Sequence, residues 1–122
     1  MHPIRYREIP MAALSIDVLF DAAIRIQIME RSISLTFTED SVRIRFPTTR
    51  RLAEFLDVPH YYILPYFAMM EEEDLITRAE RVGITTTPKG SRKLLTLMHG
   101  NYAGEMQEIL GKKIFSALTG TK

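Results

Sequence analysis

The chain has 122 residues, of which 46% are hydrophobic and 25% charged. Those are ordinary proportions for one folded domain and unlike those of a disordered tail. Lys and Arg number 16 against 15 Asp and Glu, a formal net charge of +1, which excludes a uniformly basic coat for nucleic acid and leaves only local clusters for such contact. With no Cys, disulfides and thiolate metal sites are excluded, and a reducing, cytoplasmic setting is expected.

The start, "MHPIRYREIP", has no apolar run of the signal-peptide kind and reads as an irregular arm. Residues 11 to 31, "MAALSIDVLFDAAIRIQIMER", predict a helix. Asp17, Asp21 and Arg25 form a narrow polar stripe. Leu14, Val18, Ala22, Ile26 and Met29 share one apolar face, and Ile16, Phe20 and Ile24 share another. A helix this apolar around its girth needs cover on more than one side. A homodimer partner is expected to supply the second side, so Ile24→Glu is expected to dissociate it. The tail "IRIQI" also fits the alternation of a strand.

Residues 32 to 46, "SISLTFTEDSVRIRF", alternate as a hairpin turning at "TED". Ile33, Leu35, Phe37, Val42, Ile44 and Phe46 point inward, against Ser34, Thr36, Arg43 and Arg45. Thr48 or Thr49 caps a short helix from Arg50 to Leu56. Asp57-Val58-Pro59 is a tight turn, and a second helix follows to Glu73 with Pro59 at its first position. Pro65 conflicts with the interior of that helix, so the helix either kinks or starts late. "LITRAERVGITTT" predicts two short strands around Val82-Gly83. Thr87-Pro88 opens a helix, "KGSRKLLTLMH", that breaks or kinks at Gly100-Asn101. "YAGEMQEILGKKIFSAL" is a last helix weakened by Gly104 and Gly111, needing tertiary or intersubunit contacts and offering a second dimer element. The longest uncharged apolar run, Tyr61 to Met70, is too short for a bilayer, which needs ~20 residues.

This order resembles the winged helix-turn-helix domain of small archaeal and bacterial transcriptional regulators. "TTRRLAEFLDV" looks like the first half of that motif, with Leu52, Ala53 and Leu56 inward. Ile63, Phe67 and Met70 fall where its second helix packs. "MEEEDLI" resembles the end of that helix and the start of the wing, with Asp74 where the family often has Gly. "TPKG" resembles the start of the helix after the wing. The resemblance covers roughly residues 42 to 98. It implies an α+β, mainly α domain: a winged helix-turn-helix with an added N-terminal helix, β-hairpin and C-terminal helix. The expected layout is a single domain, with arm and first helix over 1–31, hairpin and core over 32–98, and the C-terminal helix over 99–122.

The resemblance implies double-stranded DNA as a partner, contacted by Thr49, Arg50, Arg51, His60, Tyr61, Tyr62, Arg78, Arg81, Lys89, Arg92 and Lys93. Basic side chains near the helix entry (Arg43 and Arg45 among them), on the wing and at the next helix would meet phosphates, with salt-sensitive affinity. The second helix departs from that pattern. Its outward positions, His60, Tyr61, Tyr62, Leu64 and Pro65, include none of the side chains that pair bidentately with purine edges. Two readings therefore stand open. The segment contacts DNA through phosphates and shape, or it presents its aromatics to a protein partner. Either requires the His60 to Tyr62 segment to be at least partly accessible, and three successive helical residues cannot all face one core. No spacing suggests a cofactor, a metal site or an enzyme: the three His lie in separate elements, and "EEED" reads as a solvated helix end.

Overall fold

The computed structural model describes residues 14–39, 41–79 and 83–120. Helix α1 spans Ile16–Glu30. Strands β1 (Leu35–Phe37) and β2 (Val42–Ile44) form an antiparallel hairpin in which Leu35 faces Ile44 and Phe37 faces Val42. Helices α2 (Thr49–Leu56) and α3 (His60–Glu72) follow, joined by a tight turn. Strands β3 (Ile76–Ala79) and β4 (Gly83–Thr86) pair antiparallel, then come α4 (Pro88–Asn101), α5 (Ala103–Leu110) and α6 (Lys112–Thr119). The domain is thus mainly helical, with two small antiparallel sheets.

The first helix is shorter than its apolar pattern predicts. Ser15 caps it, its Oγ accepting from the Val18 N–H at 3.1 Å, with Asp17 in the first turn where the helix dipole favours acid. Residues 11–13 of the expected helix, and the arm before them, lie outside the described residues. The larger correction concerns what covers α1. It packs on α2, α3, α4 and α5 of its own chain. Phe20, Ala23 and Ile24 on one side and Ala22 and Ile26 on the other are all buried. A single copy therefore buries most of both apolar faces, with Met29 at the end of one left exposed, because α1 lies at the centre of the domain rather than on its flank. Its polar stripe meets the chain's far end. The Tyr102 hydroxyl donates to Asp21 Oδ1 and accepts from Arg25 Nε at 3.1 Å. Burial, then the bond to Asp21, holds the Tyr102 phenol above its ordinary value of 10.0.

In the first hairpin the inward set holds for Val42, Ile44 and Phe46, but Phe37 is exposed. Its strand is short and lies at the sheet edge, where only one face of the domain is near. Phe46 bridges the layers: its ring centroid is 5.2 Å from that of Phe20 on α1 and 5.9 Å from that of Phe67 on α3. The strand carrying it then reaches the second hairpin. The Phe46 N–H donates to the Ile84 carbonyl at 2.8 Å, and Arg45 bridges Thr85.

The threonines of "GITTTPKGS" are all buried. A directed relay runs through them: the Ile44 N–H donates to Thr86 Oγ1 at 2.9 Å, Thr86 Oγ1 lies 2.6 Å from Ser91 Oγ, and Ser91 Oγ donates to the Val42 carbonyl at 2.5 Å. Since the Ser91 proton points at Val42, the Thr86 proton points at Ser91. The backbone groups on the outer edge of β2 are thereby satisfied by side chains, not by a strand. Thr87 caps α4 through the Gly90 N–H at 3.0 Å and donates to the Asp74 carbonyl at 2.6 Å. Gly90 sits hard against the backbone there; a Cβ on it would lie 1.8 Å from the Leu75 carbonyl oxygen.

Three helices end on a left-handed residue that is not glycine: Arg31, Asp57 and Asp74, the last at φ 61°. After α3, the Asp74 N–H donates to the Glu71 carbonyl and the Leu75 N–H to the Met70 carbonyl, the paired bonds of a Schellman ending. Glycine adopts this φ without cost. Asp74→Gly is therefore expected to raise stability by roughly 0.5–1 kcal/mol in urea unfolding. An unchanged or lowered midpoint would mean that the Asp74 side chain contributes more than its backbone costs.

Near the C-terminus, helix α4 ends where expected, with Asn101 of the Gly100-Asn101 pair as its last residue and Tyr102 as its C-cap. The expected single last helix is two, divided at Gly111, whose φ of 90° and ψ of 144° no helix accommodates. The bend lets Met106 and Phe115 both reach the core.

Candidate functional site

The α2–α3 pair carries most of the residues expected to meet a partner. Thr48, not Thr49, caps α2, its Oγ1 accepting from the Arg51 N–H at 3.0 Å. That leaves the Thr49 hydroxyl to share a 2.7 Å hydrogen bond with His60 Nε2. His60 is the first residue of α3 and half-buried, so it ties the two helix starts together rather than standing open to solvent. Arg50, beside Thr49, is exposed.

Helix α3 begins at His60 with Pro59 as its N-cap, and it continues through Pro65. A late start is thus ruled out for this structure. Pro65 has no N–H for the Tyr61 carbonyl, but both residues are exposed, where water can satisfy that oxygen. One face of α3 is fully buried: Ile63, Phe67 and Met70 are each 0% exposed. The opposite face is apolar too. Tyr61 is 64% exposed, Leu64 42% and Met69 41%, and Pro65 and Ala68 lie open between them. Positions 61, 64, 65, 68 and 69 follow the three-and-four spacing of one helical stripe. Tyr62 is 37% exposed and packs edge-on to Tyr61, with ring centroids 4.7 Å apart. The sequence reading found the first half of this stripe and missed Ala68 and Met69. The signal was present in the spacing, which an inward set at 63, 67 and 70 leaves unused.

The charges on α3 run against its dipole. No acid stands in its first turn, no base stands in its last, and Glu71, Glu72, Glu73 and Asp74 crowd its C-terminal end. None of its residues is Lys, Arg, Asn or Gln.

The structure disperses the expected phosphate contacts. Arg51 is bound to Glu30 of α1 at 3.2 Å. Arg78 is bound to Glu71 at 3.4 Å and lies over the Phe67 ring. Lys93 is bound to Asp17 of α1 at 2.6 Å, and Lys89 donates to the Glu73 carbonyl at 3.0 Å. Arg43 reaches the Thr86 carbonyl at 3.5 Å. Arg92 is exposed beside a shallow cavity that Phe37, Leu95 and Leu118 also line. Arg81 lies outside the described residues. Of the expected set, Thr49 and His60 are joined at the starts of α2 and α3, and Tyr61 and Tyr62 pack together beside His60, while Lys89, Arg92 and Lys93 lie on α4.

Among the described residues, no three His, Asp or Glu side chains gather as a set able to hold a metal ion, and no helix is long and apolar enough to cross a membrane. Comparison with protein-family models, curated proteins and solved structures finds no match.

Proposed function

We propose that this chain is a winged-helix module that works by docking another protein on the outward face of α3. The element order supports the winged-helix part: helix, strand, helix, tight turn, helix, then a hairpin whose second strand meets the strand before α2 at Arg45 and Thr85. The observation that carries the docking part is the exposed apolar stripe of Tyr61, Leu64, Pro65, Ala68 and Met69. A continuous apolar stripe of this kind is characteristic of contact sites, and Tyr is a favoured anchor in them. The stripe ends in acid, which DNA would repel.

DNA binding by a transcriptional regulator is the second reading. Its support is the first turn of α2, where exposed Arg50 follows Thr49, whose hydroxyl bonds His60 at the start of α3. A photo-crosslinking amino acid at position 64 separates the two. Irradiated in cells, it is expected to trap protein. Nucleic-acid adducts without protein adducts would return α3 to a DNA groove.

A further inference from the structure

We infer that the cavity between the end of α1 and the entry to α2 binds a small neutral molecule with an amide edge, an N–H beside a C=O, of the kind a lactam or a pyrimidine base presents. The observation that carries this is Gln27. It is 5% exposed and lines the cavity. Its Nε2 donates to the Arg45 carbonyl at 3.0 Å. Turning the amide over would set two carbonyl oxygens against each other, so its orientation is fixed. Oε1 is then a buried acceptor, and no donor among the described residues reaches it. Such an acceptor costs free energy that a bound N–H recovers.

The rest of the cavity selects the ligand. Its volume is about 230 Å³, several times the roughly 30 Å³ that one water takes up, which leaves room for a single ring. Ile26 and Phe46, both buried, give it apolar walls on which a flat ring can lie. Ser32 and Ser34 are exposed at its rim and offer hydroxyls to the C=O of the ligand. Charge decides between a neutral ligand and an ion. Glu30 and Arg51 both line the cavity, and they are bound to each other at 3.2 Å, so they offset one another. Arg45 lines it as well, but its guanidinium reaches toward the second hairpin, where Nη2 lies 3.3 Å from the place a Cβ on Gly83 would take. An ammonium donating to Gln27 would be buried against a neutral acceptor, at a high desolvation cost. A neutral N–H meets no such cost. This site is separate from the α3 stripe and stands whether that face meets protein or DNA.

Titration of uracil into the isotope-labelled full chain, followed by NMR, tests this. Uracil is neutral and has the required edge. It is expected to bind with a dissociation constant of about 1 mM, moving the Gln27 side-chain amide and the backbone amides of Ser32 and Ser34. N,N′-Dimethyluracil has the same ring and carbonyls but no N–H. It is expected to bind about tenfold more weakly or worse, because it leaves Gln27 Oε1 unpaired. Gln27→Met removes the acceptor at similar length. It is expected to weaken uracil by about tenfold and leave dimethyluracil unchanged. That variant also takes the donor from the Arg45 carbonyl, so circular dichroism checks its folding first; should it unfold, the two ligands compared on the wild type still decide. Equal binding of the two ligands to the wild type overturns the proposal, as does uracil binding to folded Gln27→Met as tightly as to the wild type. If about 10 mM uracil leaves Gln27, Ser32 and Ser34 unmoved, the cavity takes only water and the proposal falls.

Discussion

Gly90→Ala is expected to be among the most damaging single substitutions in this protein. In an ordinary helix the change is favourable, since alanine exceeds glycine in helix propensity by about 1 kcal/mol. Here the added Cβ would stand 1.8 Å from the Leu75 carbonyl oxygen and 2.8 Å from its carbon. Both are backbone atoms, so no side-chain rotation relieves the clash. The first turn of α4 must move away from the start of β3. That movement breaks the Thr87 cap, the Thr87 bond to Asp74 and the Ser91 bond to Val42, all anchored within the same turn. Severe overpacking plus loss of a cap and a buried hydrogen bond amounts to about 3–5 kcal/mol, a large part of the roughly 5–15 kcal/mol that holds a folded domain together. Urea unfolding followed by circular dichroism checks the value. A variant as stable as the wild type would mean that the α4–β3 corner yields far more easily than its geometry allows.

Ile24→Glu is expected to unfold the chain at every concentration. Ile24 is 0% exposed within a single copy. A carboxylate there would be buried in an apolar environment, and stability must fall by at least the cost of neutralising and burying it, on the order of 4 kcal/mol or more. By contrast Leu64→Glu, on the exposed face of α3, is expected to stay folded in the same circular-dichroism measurements. A folded, monomeric Ile24→Glu protein would mean that α1 faces a second copy after all.

Those two variants mark where the sequence was legible and where it was not. The apolar pattern of α1 was correctly read as needing cover on more than one side. What it lacked was position: a helix buried by four neighbours of its own chain and one buried by a dimer partner have the same periodicity. The start of α1 was readable, since Ser15 followed by Asp17 is an ordinary capping signal, but the longer apolar run outweighed it. The sequence marks Gly111 as a weak point but not as a helix end, because composition alone does not reveal a φ of 90°. Asp74 stands where glycine is usual in the pattern it resembles, and its φ of 61° fits that position. At the site, the inward set Ile63, Phe67 and Met70 and the exposure of Tyr61 were legible from helical spacing. The pairing of Arg51 with Glu30, Arg78 with Glu71 and Lys93 with Asp17 was not. Arg51–Glu30 and Lys93–Asp17 join residues far apart in the chain, and Arg78–Glu71 crosses the corner between α3 and β3. Only the packed arrangement brings such groups within reach.

The relay that closes the outer edge of β2 bears on how the protein is made. A strand edge with unpaired backbone groups invites pairing with other strands until something covers it. Here the cover comes from Thr86 and Ser91, well downstream of Val42 and Ile44. A ribosome releases the chain N-terminus first, at about 5–20 residues per second. The first hairpin therefore spends seconds of each synthesis with its edge open, and only the emergence and docking of the α4 start seals it. During that interval the nascent chain is most exposed to mispairing, and a chaperone that holds residues 35–46 would have its greatest effect there.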